Sequence, residues 1–181
     1  MSGESPGQGL RPPLIVVTGV SGSGKTTIGQ KLARRLAVPY AEGDDFHSPQ
    51  NVAKMRAGRP LDDDDRRPWL DAIAAWLAEH AERGGVVTCS ALKLRYRDRL
   101  AAVSPDVFFL HLDGPAELIA GRLTAREDHF MPLSLLQSQI AALEPLAADE
   151  PGAAVPIDGT PEQTTARALA VVKERTAVQD R

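Results

Sequence analysis

The sequence predicts an α/β fold, a five-stranded parallel sheet with helices on both faces, and two observations carry that expectation. Five short apolar segments alternate with stretches of helical periodicity, and no hairpin-type turn joins any two of them. The first segment runs directly into Gly19-Val20-Ser21-Gly22-Ser23-Gly24-Lys25-Thr26, which has Gly, four residues, Gly, Lys and Thr in the order of a phosphate-binding loop. Its flanks are the ones this loop requires, an apolar strand before and an amphipathic helix after.

Residues 1–13, rich in Gly, Pro and Ser, have nothing to bury and read as a loose tail ahead of one domain over 14–181. The first strand spans Leu14 to Thr18, and Ile28, Leu32 and Leu36 set the helix from Lys25 to Leu36. Val38-Pro39-Tyr40-Ala41 is a short second strand, with Pro39 at its start where no ladder donor is needed. The polar stretch that follows, about 45–68, is long for a connection and reads as a substrate-binding segment; Ser48-Pro49-Gln50 opens a short helix within it, through Met55 to the Gly58-Arg59-Pro60 turn. Asp62-Asp63-Asp64-Asp65 precedes Trp69, Ile73, Trp76 and Leu77 at helical spacing, so these acids read as a helix start that complements the dipole, in preference to a metal site. Gly84-Gly85 stops that helix before a third strand, Val86 to Cys89. A basic helix from Lys93 to Val103 ends before Pro105, and Val107 to Leu112 is apolar enough to be buried on both faces. A helix from Pro115 to Ala125 leads into a closing segment over about 122–135. Leu136, Ile140 and Leu143 mark another helix, and Ala154 to Ile157 the fifth strand. Thr160-Pro161-Glu162-Gln163 starts the last helix, with a Thr cap, Pro at the first position and Gln at the third.

With 181 residues, 43% hydrophobic and 25% charged, the chain is long enough for one well-buried core. A net charge of −3 offers no general attraction to nucleic acid or anionic membrane, so the expected partners are small molecules. No apolar run is long enough for a membrane span, and the single cysteine, Cys89, suits a reducing, cytoplasmic setting.

In a parallel sheet the ligand lies at the carboxyl ends of the strands. That edge gathers the glycine loop, Asp44 and Asp45, Ser90 and Lys93, and the segment from Arg122 to His129. The backbone N–H groups of Gly19, Ser21, Gly22, Ser23, Gly24, Lys25, Thr26 and Thr27 are the phosphate cradle, Lys25 reaches the β- and γ-phosphates, and the Thr26 hydroxyl is a ligand for Mg²⁺. Of Asp44 and Asp45, one orients or deprotonates a hydroxyl and the other holds Mg²⁺ through water. Arg122 and Arg126, four apart on one helix face, either close on the phosphates or form a solvated pair with Glu127 or Asp128. Among the histidines, His47 and His129 flank the cleft, His80 is expected exposed near a helix end, and His111 is a core residue. Cys89 reads as a small apolar filler.

These residues resemble the gluconokinases, small phosphate-loop carbohydrate kinases similar to shikimate kinase and the nucleoside monophosphate kinases. The likeness rests on the loop, on Asp44-Asp45-Phe46-His47 through Lys54-Met55 and Pro60-Leu61 to Pro68-Trp69-Leu70, on Cys89-Ser90-Ala91-Leu92-Lys93 with Tyr96-Arg97-Asp98, and on Arg122, Arg126 and His129-Phe130. Asp62 and Asp128 depart from the Asn and Gly frequent there. The resemblance implies a three-layer kinase fold with a small lid, and ATP-dependent phosphorylation of D-gluconate at its terminal hydroxyl. It also implies that Asp44 contacts that hydroxyl, Arg122 lies near adenine with Pro156-Ile157-Asp158-Gly159 bordering it, and Arg126 reaches the phosphates. Gluconate's carboxylate needs cations, for which Lys54, Arg66, Lys93 and Arg97 are available. Family members are commonly dimers. The rivals are a kinase for another hydroxy acid such as shikimate, and a nucleotide switch without transfer chemistry; the lone asparagine, Asn51, rules out the Asn-Lys-x-Asp guanine-reading motif.

Overall fold

The computed structural model describes residues 11–125 and 132–179. Its strands are β1 (Leu14–Thr18), β2 (Tyr40–Ala41), β3 (Gly85–Thr88), β4 (Val107–Asp113) and β5 (Gly152–Pro156), all parallel in one sheet of order β2-β3-β1-β4-β5. The helices in chain order are α1 (Lys25–Leu36), α2 (Pro49–Arg56), α3 (Asp63–His80), α4 (Leu94–Ala101), α5 (Ala116–Thr124), α6 (Leu133–Ala142) and α7 (Pro161–Gln179).

β1 is the central strand, paired with β3 from Leu14 opposite Gly85 to Val17 opposite Thr88, and with β4 from Leu14 opposite Val107 to Thr18 opposite His111. Period-two alternation sends its residues to opposite faces. Ile15 and Val17 join a core with Ile28 and Leu32 of α1 and Ala168 and Val172 of α7. Leu14 and Val16 join a second core with Trp69, Ile73 and Leu77 of α3 and Tyr96 and Leu100 of α4. Two cores on two faces of one sheet are the three-layer arrangement, and they leave the carboxyl edge to the loops.

The helix starts follow their local chemistry. Ser48 Oγ accepts the Asn51 N–H ahead of Pro49, and Asp62 and Asp65 exchange side-chain to backbone bonds at 2.8 and 2.9 Å in a complete capping box. Thr160 and Gln163 make the same reciprocal pair at the start of α7.

Several bounds and burials differ from the sequence expectation. β2 is two residues long, although the Pro39 carbonyl still accepts the Val86 N–H, and β5 starts earlier, at Gly152. The tail is anchored at its end: Pro13 O accepts the Gly85 N–H, and Arg11 pairs with Asp106. His80 is buried, 8% exposed, because its ring stacks on Trp76 and its Nδ1 bonds the Trp76 carbonyl one turn back. His111 is a core residue, held to Thr18 Oγ1 at 3.0 Å. Burial pushes the Cys89 thiol up to about 12, which leaves it inert, as a filler should be.

Candidate active site

The glycine loop curls from the end of β1 into α1 with positive φ at Gly19, Gly22 and Gly24. At Gly22 a Cβ would stand 2.6 Å from Leu123 Cγ, so glycine is required for packing as well as for conformation. Ser23 Oγ is buried and has no hydrogen-bond partner among the described residues, and such an orphan inside a phosphate-type loop fits a site built to receive ligand oxygens. Lys25 Nζ donates to Val20 O at 3.0 Å, folded over the loop at the mouth of the cleft.

Two of the larger cavities among the described residues open on this loop. One, of about 260 Å³, is lined by Gly22, Ser23, Gly24, Thr27, Arg122, Ile157 and Gly159 with Pro161 and Thr164 of α7. Arg122 is fixed there by a 2.6 Å bond to the Ile157 carbonyl. The other, of about 350 Å³, is lined by Ser21 and Lys25 of the loop together with Asp44, His47, Arg66, Trp69 and Ser90. Val52, Met55 and Arg56 of α2 close one side of it, and Leu135, Ser138 and Gln139 of α6 another.

The 3₁₀ turn Gly43–Phe46 at the end of β2 positions Asp44. Gly43 N donates to Thr88 Oγ1 at 2.9 Å and its carbonyl accepts Trp69 Nε1–H at 2.8 Å, so the turn is clamped from β3 and α3. A Cβ at Gly43 would fall 1.8 Å from the Thr88 carbonyl oxygen, so no other residue fits. His47 stacks on Trp69 with ring centroids 4.4 Å apart. Asn51 Nδ2 donates to the Asp65 carbonyl at 2.8 Å and lies 3.3 Å from His47 Nδ1. An amide nitrogen only donates, so His47 Nδ1 accepts and its proton sits on Nε2. Burial lowers the His47 pKa, against the opposing pull of Asp44, which keeps the ring neutral near pH 7.

The cations sort sharply. Arg66 lines the cavity, with its guanidinium 5.6 Å from the Tyr96 ring centroid and Nη1 bonded to Tyr96 Oη at 3.2 Å. Arg97 is a correction to the sequence reading: its side chain is 3% exposed and paired with the 6%-exposed Glu150 carboxylate, so it is structural and out of reach of substrate. Lys54 bonds Asp65 at 2.5 Å and ties α2 to the start of α3, while Lys93 pairs with Asp63 at 3.3 Å. Neither lines the cavity that holds Asp44. Arg126 and His129 lie outside the described residues.

Three residues that the sequence reading passed over stand in the site. Glu42 accepts Thr26 Oγ1–H at 2.8 Å, Tyr40 Oη–H at 2.6 Å and Thr88 Oγ1–H at 2.8 Å. The carboxylate beside Thr26 is therefore Glu42; Asp45, exposed like Asp44, lines neither of these two cavities. Burial first, and then this carboxylate, push the Tyr40 pKa up, so the phenol stays a donor. The strand-end rule that selected Asp44 applies equally to Glu42, two residues earlier. Arg56 and Gln139 line the Asp44 cavity without any local signal in the sequence.

Residues 15–131 match the family model described as an AAA domain. The chain is 50% identical over 145 residues to the gluconokinase of Gluconobacter oxydans (strain 621H), a match covering 79% of this chain and 82% of that protein. A solved gluconokinase from Sinorhizobium meliloti 1021 is 42% identical with a TM-score of 0.86, over 93% of this chain and 95% of that one. An unliganded sugar kinase from Janibacter sp. HTCC2649 is 51% identical with a TM-score of 0.84, over 92% and 97%. A phosphate loop on a five-stranded parallel sheet, a carboxylate-bearing cavity beside it and identities of this extent lead to one conclusion: the chain belongs to the gluconokinase family.

Proposed function

We propose that the protein transfers the γ-phosphoryl group of ATP to the terminal hydroxyl of D-gluconate, giving 6-phospho-D-gluconate. The observation that carries this reading is that Lys25 and Asp44 line one cavity of about 350 Å³ on a loop that also borders a second, of about 260 Å³, beside Arg122. The relatives named gluconokinase support the choice of acceptor.

In this reading Gly22, Ser23, Gly24 and Thr27 hold the phosphates, and Arg122 with Ile157 and Gly159 borders the adenine. Asp44 takes the proton of the acceptor hydroxyl as its oxygen bonds the γ-phosphorus and the bond to the β,γ-bridging oxygen breaks. Lys25 follows the charge that builds on the transferred group and the departing ADP. Thr26 and Glu42 would hold Mg²⁺, the hydroxyl as a ligand and the carboxylate directly or through water, consistent with their oxygen chemistry. Bound there, Mg²⁺ would supply positive charge against the phosphates. Among the described residues Arg66 and Arg56 are the cavity's guanidinium groups and suit the gluconate carboxylate, with His47 Nε2–H as a donor to a hydroxyl. Arg126 and His129 keep the phosphate- and substrate-binding roles that the resemblance implies. A cytoplasmic setting and a homodimer belong to the same proposal, and light scattering that gives the monomer mass would remove the dimer.

The test is ADP release across gluconate, shikimate, glycerate and nucleoside monophosphates, where gluconate should exceed the rest by a wide margin and a flat panel would overturn the reading. Lys25→Met should abolish transfer with an unchanged circular dichroism spectrum. Asp44→Asn should lower kcat by about 10²–10⁴-fold with little change in the KM for ATP, in the range of a lost general base.

A further inference from the structure

Tyr96 of α4 stands against two charged residues of the first turn of α3, Asp63 and Arg66, which are three apart and neighbours on the helix surface. The residue is 4% exposed, with its ring in the core that α3 and α4 form on the sheet, and its hydroxyl reaches both side chains. The polarity of the two bonds is fixed by their chemistry, since an arginine only donates and an ionised carboxylate only accepts. The phenol therefore gives its one proton to Asp63 Oδ1 and accepts Arg66 Nη1–H at 3.2 Å. Asp63 has cations of its own, with Lys93 donating to Oδ1 at 3.3 Å and Arg95 to Oδ2. Hydrogen bonds from Tyr96 first and Arg95 next hold its carboxyl well below the ordinary range, so it stays an acceptor around pH 7.

Lys54, Lys93 and Arg97 each bond a carboxylate, those of Asp65, Asp63 and Glu150, whereas Arg66 bonds none among the described residues and ends on the neutral phenol oxygen. A cation paired directly with a carboxylate must break that pair before it can meet the carboxylate of a substrate. One held by a hydroxyl oxygen keeps its charge while its side chain is already ordered, which lowers the cost of binding. Tyr96 itself does not line the Asp44 cavity; it opens on a separate one of about 300 Å³ that Asp63 and Arg95 also line. Its route to the acceptor runs through Arg66, which does line the Asp44 cavity. We propose that Tyr96, anchored by Asp63, is the positioning residue of the acceptor site, whose phenol aims the Arg66 guanidinium at the carboxylate of the sugar acid without neutralising it. This rests on the kinase reading above.

The experiment is a double-mutant cycle of Tyr96→Phe and Arg66→Met, read by steady-state kinetics in the acceptor and in ATP. Tyr96→Phe removes the hydroxyl and leaves the ring in the core. It should raise the KM for the acceptor about 5-fold or more, the scale of one lost hydrogen bond, with kcat falling by less and the KM for ATP within about two-fold. In the Arg66→Met background the same change should move the acceptor KM by less than about two-fold, because the group it positions is gone. A hydroxyl that serves only the packing of α4 on α3 would change the KM equally in both backgrounds. That additivity, or a wild-type acceptor KM in Tyr96→Phe, would overturn the proposal. Asp63→Ala, which takes away the anchor and keeps the phenol, should shift the acceptor KM in the same direction and completes the cycle if Tyr96→Phe fails to fold; Arg66→Gln serves if Arg66→Met does. The failures separate. A wild-type acceptor KM in Arg66→Met removes the carboxylate role of Arg66 together with this proposal, whereas a raised KM there and none in Tyr96→Phe removes this proposal alone. The KM is measured on whichever sugar acid wild type prefers, and a wild type that transfers to none removes both readings.

Discussion

Arg97 places all five of its guanidinium N–H donors inside the protein, on both oxygens of Glu150 and on the carbonyls of Ala91, Leu92 and Pro145. Burial alone would push Glu150 up, but Arg97 and the Ala147 N–H outweigh it and hold the carboxyl below its ordinary 4.5. Arg66, which reads much the same in sequence, instead leans on Tyr96 with its charge in the acceptor cavity. The two substitutions should therefore separate cleanly. Arg97→Met leaves a buried carboxylate unpaired and should cost about 3–5 kcal/mol in urea unfolding, as broken buried pairs do, with the KM for gluconate near wild type in whatever folds. Arg66→Met should raise that KM by about 10-fold or more, the size of a lost charged hydrogen bond, with a small change in stability. The reverse pattern would return Arg97 to the substrate site. Nothing near Arg97 or Arg66 in sequence distinguishes them, because the deciding partner, Glu150, is 53 positions away. Glu42 was hidden for a different reason: its role follows from Thr26, Tyr40 and Thr88 converging on one carboxylate, and only the fold brings those hydroxyls together.

Elements were far more legible than side-chain partners, because caps, glycines and periodicity act over a few residues. The α1 bounds, the Ser48 cap of α2 and the Thr160 to Gln163 box of α7 all lie where the local pattern puts them. β2 shrank to two residues from its N-terminal side, because the Val38 N–H is taken by the Ala33 carbonyl at the end of α1 and Pro39 has no N–H to give the ladder. The acidic run shows both halves of this contrast. Asp62 and Asp65 cap α3, as local reasoning requires, while Asp63 bonds Lys93, Arg95 and Tyr96 of the neighbouring segment, which no local rule reveals. The capping box should be measurable on its own. Asp62→Ala should lower stability by about 1 kcal/mol, the usual worth of an N-cap, whereas Asp62→Asn should be nearly neutral since Asn caps equally well. Because Arg66 lies in the first turn that this cap secures, Asp62→Ala should also raise the KM for gluconate modestly. Equal losses from both variants in chemical denaturation would mean that the Asp62 charge toward Lys54, 3.8 Å away, matters more than the cap.

Across the whole molecule the shifted acids and histidines act in one direction. Hydrogen bonds from Tyr96 and Arg95 hold Asp63 well below its ordinary value, a bond from Lys54 does the same for Asp65, and one from Lys31 for Glu162. For each of these the folded state binds its proton later than the unfolded chain, so their stabilisation is complete above the ordinary carboxyl range and is lost as pH falls through it. His47 and His111 are both lowered from 6.5, chiefly by burial, so on acidification the unfolded chain takes up those protons first. The slope of unfolding free energy with pH follows the extra protons bound by the unfolded state, and here both groups give the same sign. Stability should thus be flat from about pH 7 to 8, begin to fall as pH drops below 6.5 with the histidines, and fall again through the carboxyl range; in alkali it should fall as well, as the unfolded chain releases the Cys89 proton that burial makes the folded state keep. Urea midpoints taken through this range test the order of the two windows. His111→Gln should flatten the first window alone, because its Thr18 partner sits in the sheet core, away from the acidic pairs on α3. His47→Gln should flatten the same window and also weaken acceptor binding, since its ring lines the Asp44 cavity. A midpoint that rises on acidification from pH 7 would contradict the burial assigned to both rings.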